Sequence, residues 1–353
     1  MSITNNTRCE SGENMQREKY IDVAKGIGIL LVVYGHVINS GSLESLSVVS
    51  QVIYSFHMPL FFFVTGYLLG LRKYDGGFSL SKQLKKVGLT LFLPYFVWSF
   101  VYMYIGSALE NPERYKAVFT LRGIAPLWFL AALGLCEVVF FAFIYITRKM
   151  CEGKRLVLLG ILGVLSLTAG FLMEYIKVTL GLSRENPGVA TYYIFVTVAR
   201  FFLSFPVLVF GFLFSKADVL KRMGRVWCLI ISLVLMGGVV AVTLLCDLKV
   251  NMHTFEINSL VLFVPVAFAG AAGTLMLSYS VEKFAAFLSL LGQYSLGIMI
   301  LHYMPFKAIG YSVKLAGFVW SNEIFVSFFA TFLILGISFL GIYLIKKKFF
   351  IFK

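Results

Sequence analysis

The sequence Lys19-Tyr-Ile-Asp22-Val-Ala-Lys25-Gly-Ile-Gly-Ile-Leu-Leu-Val-Val-Tyr-Gly-His36 is followed by a short polar turn. Then comes Ser55-Phe-His57-Met-Pro-Leu-Phe-Phe-Phe-Val-Thr-Gly-Tyr67. Each piece lies in an apolar segment of membrane length, and each carries ionisable groups where hydrocarbon would exclude them. Charged or titratable side chains at that depth are costly, so they face a protein interior and mark function. Lys25 and His36 are eleven residues apart, about three helical turns, and Asp22 lies one turn before Lys25. All three fall on one helix face, with Lys25 and His36 roughly 16 Å apart along the axis.

Working outward, the 353-residue chain is 59% hydrophobic and 16% aromatic but only 14% charged. A soluble domain carries nearer a quarter of charged residues. The apolar residues come in blocks of about twenty, the length that spans a bilayer core. This pattern predicts an all-α, polytopic membrane bundle of about ten helices; a barrel would show short alternating segments instead. Candidate spans cover 20–39, 48–71, 87–105, 127–147, 156–173, 190–214, 226–246, 257–280, 289–309 and 324–345. Residues 1–18 read as a polar cytoplasmic tail, 19–348 as one transmembrane domain and 349–353 as a cytoplasmic end. The first apolar block has no small-residue cleavage site after it and reads as a retained span.

The net charge of +14 lies between the apolar blocks, as topology signals do, so lipid headgroups and an anionic cofactor are expected rather than nucleic acid. Most of the 31 basic residues fall on one side of the alternating spans. The other side holds Arg114, Lys116, Arg122, Lys177, Arg184, Lys249, Lys307 and Lys314, and both termini are therefore expected in the cytoplasm. The five cysteines show no paired spacing and read as small hydrophobes. No phosphate-binding glycine loop or zinc-binding His pair is present, and no metal is expected.

Under this topology His57, Glu137, Arg200 and His302 fall near mid-membrane on separate spans, with His36 shallower. Such depth predicts a hydrated cavity between helices. Each residue has a plainer use as well. An intramembrane His can simply bond a neighbouring helix, and Glu137 can pair with a neighbour or stay protonated. Arg200 keeps its charge and needs an anion or several acceptors. Lys82, Lys85 and Lys86 precede the third span at helical spacing and would focus positive charge at the inner mouth, beyond their use as a topology signal. Trp128 opens the fourth span, as interfacial Trp commonly does.

Together these motifs resemble the acyltransferase-3 family of bacterial integral-membrane O-acyltransferases. The resemblance rests on Asp22-x-x-Lys25 through Gly35-His36 (a basic residue, ten residues and a His), on Phe56-His57 through Gly66-Tyr67, and on the basic cluster before Pro94-Tyr95. Leu127-Trp128-Phe129-Leu130 and Tyr294-Ser-Leu-Gly through His302 complete it. It is similar to compact members without an appended periplasmic domain, such as sugar O-acetylases. The resemblance implies a multi-pass protein of the bacterial cytoplasmic membrane. It implies acetyl-CoA as donor and a glycan or lipid-linked sugar hydroxyl as acceptor. It also implies His36 as the catalytic residue, supported by Lys25, and the basic residues around Lys82 and Lys85 as cofactor contacts. Lysines stand here at 25, 82, 85 and 86 where many members carry Arg, which keeps the charge and loses the bidentate fork. Many members also have a His before Leu-Trp-Phe-Leu; Ala125 and Pro126 stand here.

The expected mechanism places CoA phosphates on Lys82, Lys85, Lys86 and Lys25, with the pantetheine arm running toward His36. His36 acts as general base, and His57 or Arg200 steadies the oxyanion or the acceptor. An acetyl-His36 intermediate is the alternative route. The rival class is a secondary transporter or exporter of a sugar or small organic anion, with Arg200 as the anion ligand.

Overall fold

The computed structural model describes residues 18–40, 46–74, 78–106, 109–186, 188–315 and 323–348. The helices are α1 (Lys19–Ser40), α2 (Ser47–Gly70), α3 (Leu80–Val87), α4 (Leu93–Ile105) and α5 (Pro112–Phe119). They continue with α6 (Trp128–Ile146), α7 (Glu152–Thr179), α8 (Val189–Lys216), α9 (Val219–Leu245) and α10 (Leu260–Val281). The last are α11 (Ala286–Gln293), α12 (Ser295–Leu301), α13 (Tyr303–Leu315) and α14 (Glu323–Lys348). A two-residue antiparallel ladder, β1 (Val250–Asn251) with β2 (Glu256–Ile257), closes the hairpin between α9 and α10. A π-type turn at Gly88–Phe92 joins α3 to α4, so that 80–105 runs as one apolar helical segment.

Among the described residues, nine helical segments are long and apolar enough to cross a membrane. They match nine of the ten expected spans. The expected span 289–309 is instead broken into α11, α12 and α13, at Tyr294 and His302. Two local causes are visible. Tyr294 adopts φ −105° and ψ 8°, outside the helical well, and Pro305 has no N–H to offer the carbonyl of Leu301. The chain still advances along α1, from Gly292 beside Asp22 to His302 beside His36.

Burial divides the bundle into two groups. α1, α2, α6, α8 and α10 are mostly covered by protein, whereas 80–105, α7, α9 and α14 turn most of their apolar surface outward. The inner helices approach closely because small residues sit at their crossings. A Cβ on Gly66 would lie 1.8 Å from the Leu208 carbonyl oxygen of α8, and one on Gly211 would lie 2.0 Å from that of Phe63 in α2. Gly26 and Gly292 make the same reciprocal approach between α1 and α11, at 1.8 and 1.7 Å from the carbonyl oxygens of Leu288 and Asp22.

The chain alternates direction, which gives the bundle two distinct ends. Lys19, Arg72, Lys82 and Lys216 lie at the basic end. His36, the α5 loop and the β1–β2 hairpin lie at the opposite, histidine end. The loops there are not simple connectors. Ala117, Val118 and Ile124 are buried, and the Tyr95 hydroxyl donates to the Val118 carbonyl at 2.8 Å. Irregular backbone at such depth is tolerated where it is covered by protein or lines a cavity.

Candidate active site

A cavity of about 960 Å³ lies at the histidine end. Its walls include His36, His57, Tyr54, Trp128, His253 and Arg122, drawn from α1, α2, α6, the hairpin and the segment before α6. It reaches inward to Val32, Met58 and Met299. At the next level, that of Gly28, the side chains of Leu60 and Phe61 pack against α1, and Phe61 meets Phe129 at 5.5 Å between ring centroids. Lys25 lies below this apolar layer and is not part of the cavity wall.

Three histidines meet through Tyr54 and ring stacking. The His36 and His302 rings stack with centroids 5.4 Å apart and 27° between planes. The Tyr54 ring lies 5.0 Å from that of His57 and 6.4 Å from that of His36, with its hydroxyl 3.5 Å from His36 Nδ1. Backbone carbonyls set two of the tautomers. His57 Nδ1 lies 2.7 Å from the Ile53 oxygen, and His302 Nδ1 lies 2.9 Å from the Ile298 oxygen. A carbonyl only accepts, so in both rings Nδ1 carries the hydrogen and, in the neutral form, Nε2 carries the lone pair. His302 is fully buried, and its Nε2 has no partner among the described residues. His302 therefore supports the face of the His36 ring without reaching the cavity.

Of the two settings expected for Arg200, an anion or several acceptors, the structure gives the second. Arg200 is 1% exposed and lies behind Trp128, with its guanidinium 5.1 Å from that ring's centre. Its N–H groups donate to the carbonyls of Val196, Leu121, Arg122 and His253, at 2.9 to 3.5 Å. One buried cation thus ties α8 to the segment before α6 and to the hairpin. Gly123 makes that segment possible. Its φ is +82°, and an added Cβ would fall 2.5 Å from the Trp128 Cα.

The remaining expected residues gather at the basic end. Lys82, Lys85 and Lys86 are exposed on α3. Glu137 is within electrostatic range of Arg72 and Lys86, so it belongs to this end and not to the cavity. Lys25 Nζ lies 3.7 Å from Asp22 Oδ1, and Asp22 is buried.

Sequence reasoning passed over His253. It stands in a polar inter-span stretch with no periodicity to orient it, and only the hairpin places it on Trp128. The two rings stack 6.2 Å apart with 17° between planes. Its Nδ1 and Nε2 sit in a poor site for charge: burial first, then Arg122 and Arg200, push the imidazole well below its ordinary value. His253 Nε2 has no partner among the described residues. Arg122 was likewise counted only as a topology charge. It is 7% exposed, its guanidinium lies 4.7 Å from the centre of the Tyr193 ring, and burial lowers its pKa. Among the described residues no group of His, Cys, Asp and Glu could hold a metal ion.

The acyltransferase domain family matches residues 18–344, nearly the whole chain. The chain belongs to the acyltransferase-3 family. A curated relative, "Nodulation protein NolL" of Mesorhizobium japonicum, is 33% identical over 114 residues. That stretch is 30% of this chain and 29% of the relative, so the similarity spans under a third of the relative's length. Membership agrees with the motif resemblance around Lys25–His36 and Phe56–Tyr67. The structure brings His36, His57 and Trp128, from three of the motifs named above, to the same cavity.

Proposed function

We propose that the chain is a bacterial cytoplasmic-membrane O-acyltransferase that moves acetyl from acetyl-CoA to a hydroxyl of an envelope or exported glycan, with His36 as general base. The observation that carries this reading is the placement of His36 in the cavity wall, backed by His302 and next to Tyr54. A neutral His36 takes the proton from the acceptor hydroxyl as its oxygen attacks the thioester carbonyl. The C–O bond forms, the tetrahedral intermediate collapses, the C–S bond breaks, and the proton on His36 passes to the departing CoA thiolate.

The developing oxyanion needs a hydrogen-bond donor. In its carbonyl-fixed tautomer, neutral His57 has no second N–H to give, and Arg200 is occupied by backbone carbonyls. The Tyr54 hydroxyl lies beside both the His36 and His57 rings and is the donor assigned to the oxyanion here. His57 then serves as an acceptor that orients the sugar. The exposed lysines of α3 hold the donor's phosphates at the basic end, and the Leu60–Phe61 layer must part to admit the pantetheine arm.

The test is CoA release from acetyl-CoA by the protein in nanodiscs, with an envelope-glycan extract as acceptor. Wild type should release CoA and add one acetyl mass to a glycan. His36→Ala should lose on the order of a thousandfold in rate, within the range for a general base, with helix content and membrane insertion unchanged. Near-normal turnover in that variant would remove His36 from the mechanism. Substrate flux without any CoA compound would favour transport.

A further inference from the structure

Four cations border the cavity: Arg114 of α5, Arg122 before α6, Arg184 between α7 and α8, and Lys307 of α13. No Asp or Glu is among the described residues that line it. None of the four forms an ion pair among the described residues, whereas Lys249 and Lys177 at this end do. Lys249 Nζ lies 2.8 Å from Asp247 Oδ2, and Lys177 Nζ lies 3.7 Å from Glu174 Oε2. Arg200, also nearby, has its carbonyls. Lys116 on α5, outside the cavity, has no ion pair among the described residues either, so what distinguishes the cavity is that four such cations gather around it.

Two of the four are held in place. Arg122 and Arg184 both lie over the Tyr193 ring, at 4.7 and 5.9 Å from its centre. A guanidinium steadied on a ring face keeps its edge of N–H donors for a planar or tetrahedral anion. Arg122 Nε is buried and has no partner among the described residues. Like charges assembled on one wall repel one another, and an anion between them removes that repulsion. Topology does not account for the cluster, because positive-inside charge belongs at the opposite end, where the α3 lysines stand.

We infer that Arg114, Arg122, Arg184 and Lys307 form an anion subsite of the acceptor, so that the acylated hydroxyl is carried by a sugar bearing a phosphate or carboxylate. This rests on the acyl-transfer reading above. It assigns the two basic ends to two substrates, the CoA phosphates at one and the anionic sugar at the other.

The test measures binding directly, with full-length protein in phosphatidylcholine nanodiscs. The probes are glucose 1-phosphate, glucuronate and methyl α-glucoside. At least one anionic sugar should bind about tenfold or more tightly than the neutral glycoside, equivalent to about 1.4 kcal/mol. Arg184→Gln and Lys307→Gln replace exposed side chains and should each erase much of that preference. Arg122→Lys keeps the charge, loses the fork and should weaken it a few-fold. Lys249→Gln, outside the cavity, controls for the general surface field and should change nothing. Equal binding of all three sugars, binding by none, or indifference to Arg184→Gln and Lys307→Gln would overturn the inference. So would displacement of the sugar by 3′-phosphoadenosine 5′-phosphate, which would make the cluster a donor site. Displacement by added phosphatidylglycerol would make it a lipid-headgroup site and also overturn it. CoA release run in parallel separates the two claims. Absence of release with every acceptor counts against acyl transfer, and release with equal sugar affinities counts against the anion subsite alone.

Discussion

Both ends of this bundle are positively charged, but the charge is built differently. At the basic end Lys82, Lys85 and Lys86 stand on the exposed face of one short helix, within five residues of sequence. They are exposed to solvent, and their fields are screened by salt. At the histidine end Arg114, Arg122, Arg184 and Lys307 come from four segments spread over nearly 200 residues. Two of these are pinned to an aromatic ring, and Arg200 is sealed behind Trp128 by backbone carbonyls. A solvated lysine cluster suits a point-charge contact with phosphates that come and go. Arginines steadied on a ring face suit orientation of a substrate beside His36. The contrast teaches that the number of positive charges says little; how each is held separates a topology signal, a structural tie and a binding group.

Four experiments press on that contrast. The strongest asks whether chemistry is confined to the histidine end. Tyr54→Phe should lower kcat by about a hundredfold or more with little change in KM, as loss of an oxyanion donor does. An unchanged kcat would move that role to another group. The next asks whether Arg200 is a tie and not a ligand. Arg200→Ala leaves the carbonyls of Leu121 and Arg122 without a donor, each costing about 1–3 kcal/mol. A clear fall in thermal midpoint is expected, together with loss of loop protection in hydrogen exchange. A variant of wild-type stability with a raised KM would make Arg200 a ligand after all.

A smaller effect belongs to the basic end. The double change Lys85→Gln with Lys86→Gln should raise the KM for acetyl-CoA about tenfold, the size of a lost charge-assisted contact. The affinity for sugar should stay as it was. If the double change alters sugar affinity and leaves the donor KM alone, the assignment of ends is reversed. The smallest effect concerns His253, outside the spans. Burial, then Arg122 and Arg200, hold its folded pKa below the unfolded value of about 6.5. The unfolded chain therefore binds the extra proton first. Stability from this group is complete above about pH 6.5 and falls as pH drops below it, by at most about 1.4 kcal/mol per unit. Thermal midpoints at pH 7.5 and 5.5 should differ less in His253→Gln than in wild type, and an equal difference would show that His253 is not the group responsible.

The number and position of most spans were legible in sequence because a bilayer imposes a local requirement. About twenty consecutive apolar residues must run together, and nothing distant in the chain changes that count. The Lys25–His36 spacing was legible for the same reason, since helical periodicity places both on one face. The break at His302 was partly legible in Pro305, whereas no proline marks the one at Tyr294, where φ is −105° and ψ 8°. The difference between Arg200 and Arg122 was not legible, since both read as isolated positive charges. Carbonyls from residues 121, 122 and 253 occupy the first. The second is left over Tyr193, its buried Nε without a partner among the described residues. His253 carried no sequence signal because its neighbours are two loops and a Trp more than a hundred residues away. The sequence alone thus determined a helical membrane protein with His36 at one end of its first span. Tertiary packing decided which charges are neutralised, which histidine tautomers the backbone imposes, and which side chains share a cavity, because each of these is a contact between segments remote in sequence.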